Sequence, residues 1–438
     1  MLALIRLLVV LAFIVVLIRT KRLHLGIVML AATVFTAVLF WMSPQYFFSN
    51  LFGELIGANS VTFVVIIVLV VMLSQVMESA GYFRRMVEGI AGVLPSRRLR
   101  LTVLPAMIGL LPMPGGAIFS APMVGKAGEG LPLDRHRKAA INFWFRHVWE
   151  FCWPLYPGII AYANELAKLD ISLGRVLPLQ AVLTPVMLLV GIIFLFPRKL
   201  GPRNIEHSVG RGGQRLAEAV VPAVPIVIVV ACFVGLGPAI HALYSAAGGG
   251  AVEKGGGIET LLNRAPFILG LLASISYVVL KSGGNRPDVL KSVMRSPRAA
   301  SMGFMAVGIV AFGATVGSEN VAGEAGQFFR ETGLVLPVIS VLPFILGLVT
   351  GITIAYVVTA FPLIVHLLDP GVNPLPYLVV AFASGFIGVM LSPAHLCLLV
   401  SRQYFKAGLM KMYRYLALPA FGMAVAVAAL FLLLKWLL

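Results

Sequence analysis

The stretch Asn142–Pro157, NFWFRHVWEFCWPLYP, sets three ionisable side chains, Arg146, His147 and Glu150, inside an aromatic, apolar run. A charge in hydrocarbon costs at least ~2.5–3.5 kcal/mol on insertion scales, so such residues persist where they pair or face a polar cavity. Arg146 and Glu150 are four residues apart, the spacing of neighbours on one helical face. Two readings are open. In one, they form a structural pair that locks this segment to its neighbours. In the other, Arg146 or His147 meets an anionic solute, and Glu150 takes a proton once that solute competes for the guanidinium. His147 and Glu150 also have the His-x-x-Glu spacing of metal ligands. Only one copy is present, without a second carboxylate motif, so neither metal nor cofactor is expected.

The residues that could join them are scattered. His395 follows a proline break at Ser392-Pro393. Hydroxyls at Ser120, Thr350, Thr353, Thr359 and Ser392 could contact a substrate, and Thr350 and Ser392, with Glu150, are the candidates for a coupling ion. Pro114, Gly115, Gly116 and Gly351 mark places where backbone groups could approach the solute. Cys152, Cys232 and Cys397 lie in apolar stretches and read as small core residues.

What must position these groups is a set of membrane helices. Of the 438 residues, 60% are hydrophobic and only 12% charged, about half the charged share of a soluble domain. The net charge of +17 does not signal nucleic acid, because the Lys and Arg sit in short loops between apolar segments. Those segments fall at roughly 2–18, 23–42, 60–79, 138–163, 172–196, 217–240, 262–280, 300–318, 375–401 and 414–436. Arg19-Thr20-Lys21-Arg22 follows the first without a small-residue cleavage site, so that segment reads as a membrane helix rather than a signal peptide.

Two further stretches are different. Within 101–124, Pro112-Met113-Pro114-Gly115-Gly116 stops any continuous helix. The arm Leu101–Leu111 would be about 16 Å long, roughly half of a ~30 Å hydrocarbon core. The stretch 334–366 is interrupted at Thr350-Gly351-Ile352-Thr353. Both read as re-entrant hairpins. They also align: Leu104-Pro105-Ala106-Met107-Ile108-Gly109-Leu110 with Leu342-Pro343-Phe344-Ile345-Leu346-Gly347-Leu348, Ser120-Ala121-Pro122 with Thr359-Ala360-Phe361-Pro362 allowing one inserted residue, and Trp153-Pro154-Leu155-Tyr156 with Ser392-Pro393-Ala394-His395.

The expected fold is therefore an all-α polytopic membrane protein of two inverted repeats, each with about five transmembrane helices and one hairpin. The first repeat covers 1–196 and the second 217–438, joined by a basic linker at 197–216. Charge distribution favours this topology. With both hairpins re-entrant, one face collects 26 Lys and Arg and the other 6, whereas single spans at both hairpins erase the bias. The linker and hairpin 101–124 are then cytoplasmic, hairpin 334–366 enters from the outside, and both termini lie outside a cell (inner) membrane.

LPMPGGAIFSAPMV, NFWFRHVWEFCWPLYPG and VMLSPAHLCLLVSRQYF together resemble the family of membrane proteins called domain of unknown function 401. That resemblance implies a place in the ion transporter superfamily, beside gluconate permeases, C4-dicarboxylate carriers and sodium-coupled dicarboxylate and citrate symporters. It further implies a scaffold with a mobile unit holding two hairpins, a homodimer, and elevator-type alternating access. The sodium-coupled relatives carry Ser-Asn-Thr at both tips; this chain has Pro-Met-Pro-Gly-Gly and Thr-Gly-Ile-Thr, so their sodium sites do not carry over directly.

Backbone that lacks internal hydrogen bonds survives at membrane depth only inside protein or beside water, and broken helices in inverted repeats are how many secondary transporters build a midplane site. The expectation is a secondary transporter of a small, carboxylate-bearing anion driven by H⁺ or Na⁺. A cation/proton antiporter using Glu150 at the same breaks is the alternative. No Gly-x-Ser-x-Gly, His-Glu-x-x-His or nucleotide-binding motif suggests an enzyme.

Overall fold

The computed structural model describes residues 2–20, 23–110, 116–197, 220–250, 252–253, 256–368 and 371–438, and every regular element among them is helical. Pro114 and Gly115 at the first tip, and the linker beyond Pro197, lie outside the described residues.

The N-terminal part contains α1 (Leu2–Arg19), α2 (Leu25–Leu39), α3 (Pro44–Ile56), α4 (Ala58–Ser79), α5 (Tyr82–Val93), α6 (Arg97–Gly109), α7 (Ala117–Ala127), α8 (Arg135–Arg146), α9 (Pro157–Ala167), α10 (Leu173–Ala181) and α11 (Leu183–Leu195). After the linker come α12 (Val224–Ala246), α13 (Gly257–Lys281), α14 (Arg286–Met294), α15 (Pro297–Val316), α16 (Glu324–Glu331), α17 (Val335–Thr350), α18 (Thr353–Leu367), α19 (Leu375–Leu391), α20 (Leu396–Tyr404) and α21 (Leu409–Leu437). Seven described stretches are long and apolar enough to cross a bilayer: 58–79, 173–195, 221–246, 257–281, 283–316, 375–404 and 409–437. The chain is a polytopic helical membrane protein.

Local chemistry explains the breaks. Asp134 caps α8 by accepting from the amides of His136 and Arg137, both at 2.8 Å, and Ser96 caps α6 through the amide of Leu99. Gly351 ends α17 at φ +67°, the left-handed geometry that a side chain opposes. Pro157 opens α9, where its missing amide costs nothing. Arms of 13 and 11 residues in α6 and α7, and 16 and 15 in α17 and α18, give lengths of about 16–24 Å at 1.5 Å per residue, each short of a full span.

The helices α3, α5, α14 and α16 fall where the sequence reading placed only loops. They are short and mixed in character. In α5, Tyr82, Phe83 and Met86 are buried while Arg84, Arg85 and Glu88 stay outside, with Arg84 and Glu88 paired at 2.8 Å. A search for long apolar runs passes over such amphipathic pieces.

Contacts divide the chain into two compact units. The first comprises residues 1–50, 94–206 and 311–438; the second comprises 51–93 and 207–310. In the second, α13 packs on α4 and α12. Arg264 Nη1 donates to the Asn59 carbonyl at 2.6 Å and to Thr62 Oγ1 at 2.9 Å. Glu78, half-buried near its helix end, pairs with Arg298 at 3.1 Å. In the first unit, α18 and α19 are buried on nearly every side, so they are apolar all round rather than amphipathic. Tyr162 of α9 packs against Phe361 of α18 and Phe382 of α19, and Tyr356 donates to the Phe382 carbonyl at 2.8 Å.

Candidate functional site

The first unit contains both helix pairs, α6/α7 and α17/α18, and both later interruptions, 147–156 and 392–395. The chain from His147 to Tyr156 is a series of local turns: the amides of Glu150, Cys152 and Tyr156 reach back to the carbonyls of His147, Trp149 and Trp153. At the second interruption, Ser392 Oγ accepts from the amide of Ala394 at 3.2 Å, and His395 caps α20.

Side chains stitch these breaks together. His395 donates from Nδ1 to the Gly351 carbonyl at 2.8 Å, and its Nε2 lies 3.0 Å from Nε2 of His147. His147 donates from Nδ1 to the Phe143 carbonyl at 2.5 Å, and Arg146 Nη1 is 3.4 Å from His147 Nε2. Glu150 accepts from Thr353 Oγ1 at 3.1 Å and places its other oxygen 3.7 Å from His147 Nε2. All of Arg146, His147, Glu150 and His395 are buried. The guanidinium of Arg146 lies against Gly116: a Cβ there would come within 2.5 Å of Nη2.

The helix α8 stops at Arg146, so Arg146 and Glu150 are not one turn apart on a continuous helix, as their spacing alone suggested. Glu150 instead meets the first residue of α18, 203 positions along the chain. The N-termini of α7, α18 and α20 and the C-termini of α8 and α17 all contribute to this cluster through Gly116, Thr353, His395, Arg146, His147 and Gly351.

Not every residue singled out from the sequence reaches it. Thr350 donates to the Leu346 carbonyl at 2.7 Å, Thr359 to Ala355 at 2.7 Å and Ser120 to Ala117 at 3.4 Å, each back along its own helix. Ser392 and Gly351 do adjoin each other, since a Cβ on Gly351 would lie 2.8 Å from Ser392 Oγ.

Three participants were not legible as such. Tyr156 donates its hydroxyl across the gap to the Gly109 carbonyl at the end of α6. Its position opposite His395 in the repeat alignment was the available signal. Asn142 donates to Ser401 Oγ at 2.8 Å and to the Ala117 carbonyl at 3.3 Å, tying α8 to α20 and α7. Cys397, read as a core residue, has its sulfur in the same cluster; the ligand atoms of His147, His395 and Cys397 lie within 4.8 Å of one another. Trp153 Nε1 is buried and, among the described residues, has no hydrogen-bond partner.

Two glycines set the helix spacing. A Cβ on Gly109 of α6 would strike the Arg146 carbonyl of α8, and a Cβ on Gly347 of α17 would strike the Gly385 carbonyl of α19. At the far end of α7, α8 and α20, an open cavity of about 490 Å³ is lined by Lys126, Arg135, Lys138, Glu129 and Tyr404. Three cations against one carboxylate make it attractive to anions.

A buried Arg–His–Glu cluster between broken helices is tolerated at membrane depth where such groups pair with one another or line a polar cavity. The chain belongs to the family described as protein of unknown function (DUF401), whose model matches residues 3–238 and 261–434. No curated protein matches it significantly.

Proposed function

We propose that this protein is a secondary active transporter of a small anion, organic and carboxylate-bearing, coupled to H⁺ or Na⁺ and working by elevator-type alternating access. The observation that carries the reading is the convergence of interrupted helices on buried Arg146, His147, Glu150 and His395. Helix N-termini offer free amides and partial positive charge. Arg146 adds a full charge and a planar fork suited to a carboxylate.

The inverted-repeat reading draws support from contacts that its alignment did not use. The alignment that pairs Gly109 with Gly347 also sets Arg146 opposite Gly385 once its one inserted residue is counted, and the Cβ-free face of Gly109 meets the Arg146 carbonyl as that of Gly347 meets the Gly385 carbonyl. Past the same inserted residue, the alignment pairs Tyr156 with His395. Each reaches from its break to a carbonyl at the end of the preceding hairpin's first arm, Gly109 and Gly351 respectively. An elevator requires one unit to carry the whole site, and the first unit does. The basic cavity at Lys126, Arg135 and Lys138 would gather anions on the side assigned to the cytoplasm.

The test is a thermal-shift screen of purified protein with succinate, citrate, gluconate, phosphate and sulfate, each with and without Na⁺. A ligand that binds only the folded state raises its apparent stability. Carboxylates should raise the melting temperature in a saturable way. A response to cations alone would overturn the anion reading and favour the cation/proton antiporter.

A further inference from the structure

We propose that His147 and His395 hold one shared proton between their Nε2 atoms and that this proton is the coupling ion. The coupling half rests on the anion-transport reading; the proton site does not.

The argument begins with tautomers. A carbonyl oxygen can only accept, so the contacts of His147 Nδ1 with Phe143 and of His395 Nδ1 with Gly351 place a hydrogen on both Nδ1 atoms. A neutral ring with Nδ1 protonated has a bare Nε2. Two bare nitrogens do not face each other at the 3.0 Å found here; that separation is a hydrogen bond and needs a proton. Arg146 decides where it sits. A guanidinium only donates, so His147 Nε2, 3.4 Å from Nη1, is an acceptor. The bridging proton therefore belongs to His395, which is an imidazolium donating from both nitrogens.

A metal ion would also separate two lone pairs, but the geometry disfavours it. At usual zinc–nitrogen distances of ~2.0–2.1 Å, nitrogens 3.0 Å apart subtend about 95° rather than the tetrahedral angle. The guanidinium also brings a fixed positive charge to the same nitrogen.

The charged and titratable groups facing the pair are Arg146 at the end of α8, Glu150 in the interruption and Cys397 on α20, with Tyr156 at the start of α9 facing Arg146. Each bound proton adds one positive charge to the cluster, and each bound monoanion removes one. Net charge in a low-dielectric interior is costly. A proton or an anion alone therefore shifts the charge, whereas the empty, deprotonated cluster and the cluster holding both a proton and a monoanion carry the same charge. These are the states that cross the membrane most readily, which is the logic of proton–anion symport. Losing the proton leaves two lone pairs opposed, so the rings must part. Because His395 grips the Gly351 carbonyl, proton occupancy is tied to the tip of the second hairpin.

Magic-angle-spinning NMR of the full-length protein in lipid, labelled with ¹⁵N-histidine, reads the site directly. The expected result is one proton correlated with two Nε2 nitrogens, both rings keeping protonated Nδ1, with the signal lost in His147→Gln and in His395→Gln. Absence of the correlation between pH 5 and 9, or a bare Nδ1 on either ring, overturns the proton site. So does about one metal per chain by elemental analysis. The native protein alone decides these points should a variant fail to fold.

Coupling is read in Na⁺-free proteoliposomes containing a pH dye, with external succinate, citrate or gluconate as probes. Uptake accompanied by internal acidification supports it, and His395→Gln should lose the acidification. Uptake without acidification overturns the coupling while leaving the transporter reading intact. No uptake of any probe overturns both, and the NMR result still decides the proton site.

Discussion

Glu150 shows how much a single residue can carry. Among the described residues it is the one carboxylate in the Arg146–His147–His395 cluster, and Thr353 fixes it from the opposite hairpin. Glu150→Gln keeps the shape and removes the negative charge, so a deprotonated cluster remains positive through Arg146. An anion would then bind without a proton. Anion-induced thermal stabilisation, pH-dependent in the native protein, should become nearly flat between pH 5.5 and 8 in this variant; an unchanged profile would contradict the role given to Glu150.

Asp134 is a contrasting case, acting on stability at the membrane edge. Burial alone would raise its pKa. The Tyr415 hydroxyl at 2.5 Å and the amides of Arg137 and His136 outweigh that and hold it below the usual carboxylate value. A lowered folded-state pKa contributes stability above the unfolded value, and that contribution is lost as pH falls through the folded one. Asp134→Ala should cost about 0.5–2 kcal/mol as a lost helix cap. The difference from native protein, read by thermal unfolding, should be present at pH 7 and shrink towards pH 3.

Among the elements, the paired glycines make the sharpest claim. Gly109→Ala and Gly347→Ala each push a methyl group into a carbonyl of the next helix. Overpacking of this kind costs about 1–3 kcal/mol. Both variants should melt earlier by similar amounts, whereas Gly53→Ala, with open space around it, should not. A large loss in one and none in the other would mean that the two contacts are not equivalent.

The same elements show what the sequence could reveal. Proline and glycine punctuation located the break between α17 and α18 because Gly351 needs a left-handed backbone there. Apolar length revealed the long helices. The amphipathic helices stayed hidden because they are too short to register as apolar runs. Arg146, His147, Glu150 and His395 stood out because charge is rare in such surroundings. Thr353 meeting Glu150, or Cys397 joining the two histidines, could not be read, since those contacts depend on how separate hairpins close on one another. Tyr156 lay between these extremes: its alignment with His395 hinted at a role that its aromatic neighbours disguised.

For the molecule as a whole, the account requires α6/α7 and α17/α18 to enter the bilayer from opposite faces and turn back. The distribution of Lys and Arg and the short arms favour this arrangement independently. The most direct measurement introduces single cysteines at Arg98 and Lys126, flanking the first hairpin, and at Thr332 and Asn373, flanking the second. Each is labelled with a membrane-impermeant maleimide in vesicles of known orientation, with the unsubstituted chain as background. The account predicts that 98 and 126 label from the cytoplasmic side and 332 and 373 from the other. Labelling of 98 and 126 from different sides would make the first hairpin a spanning segment, and the shared site between the two tips would no longer stand.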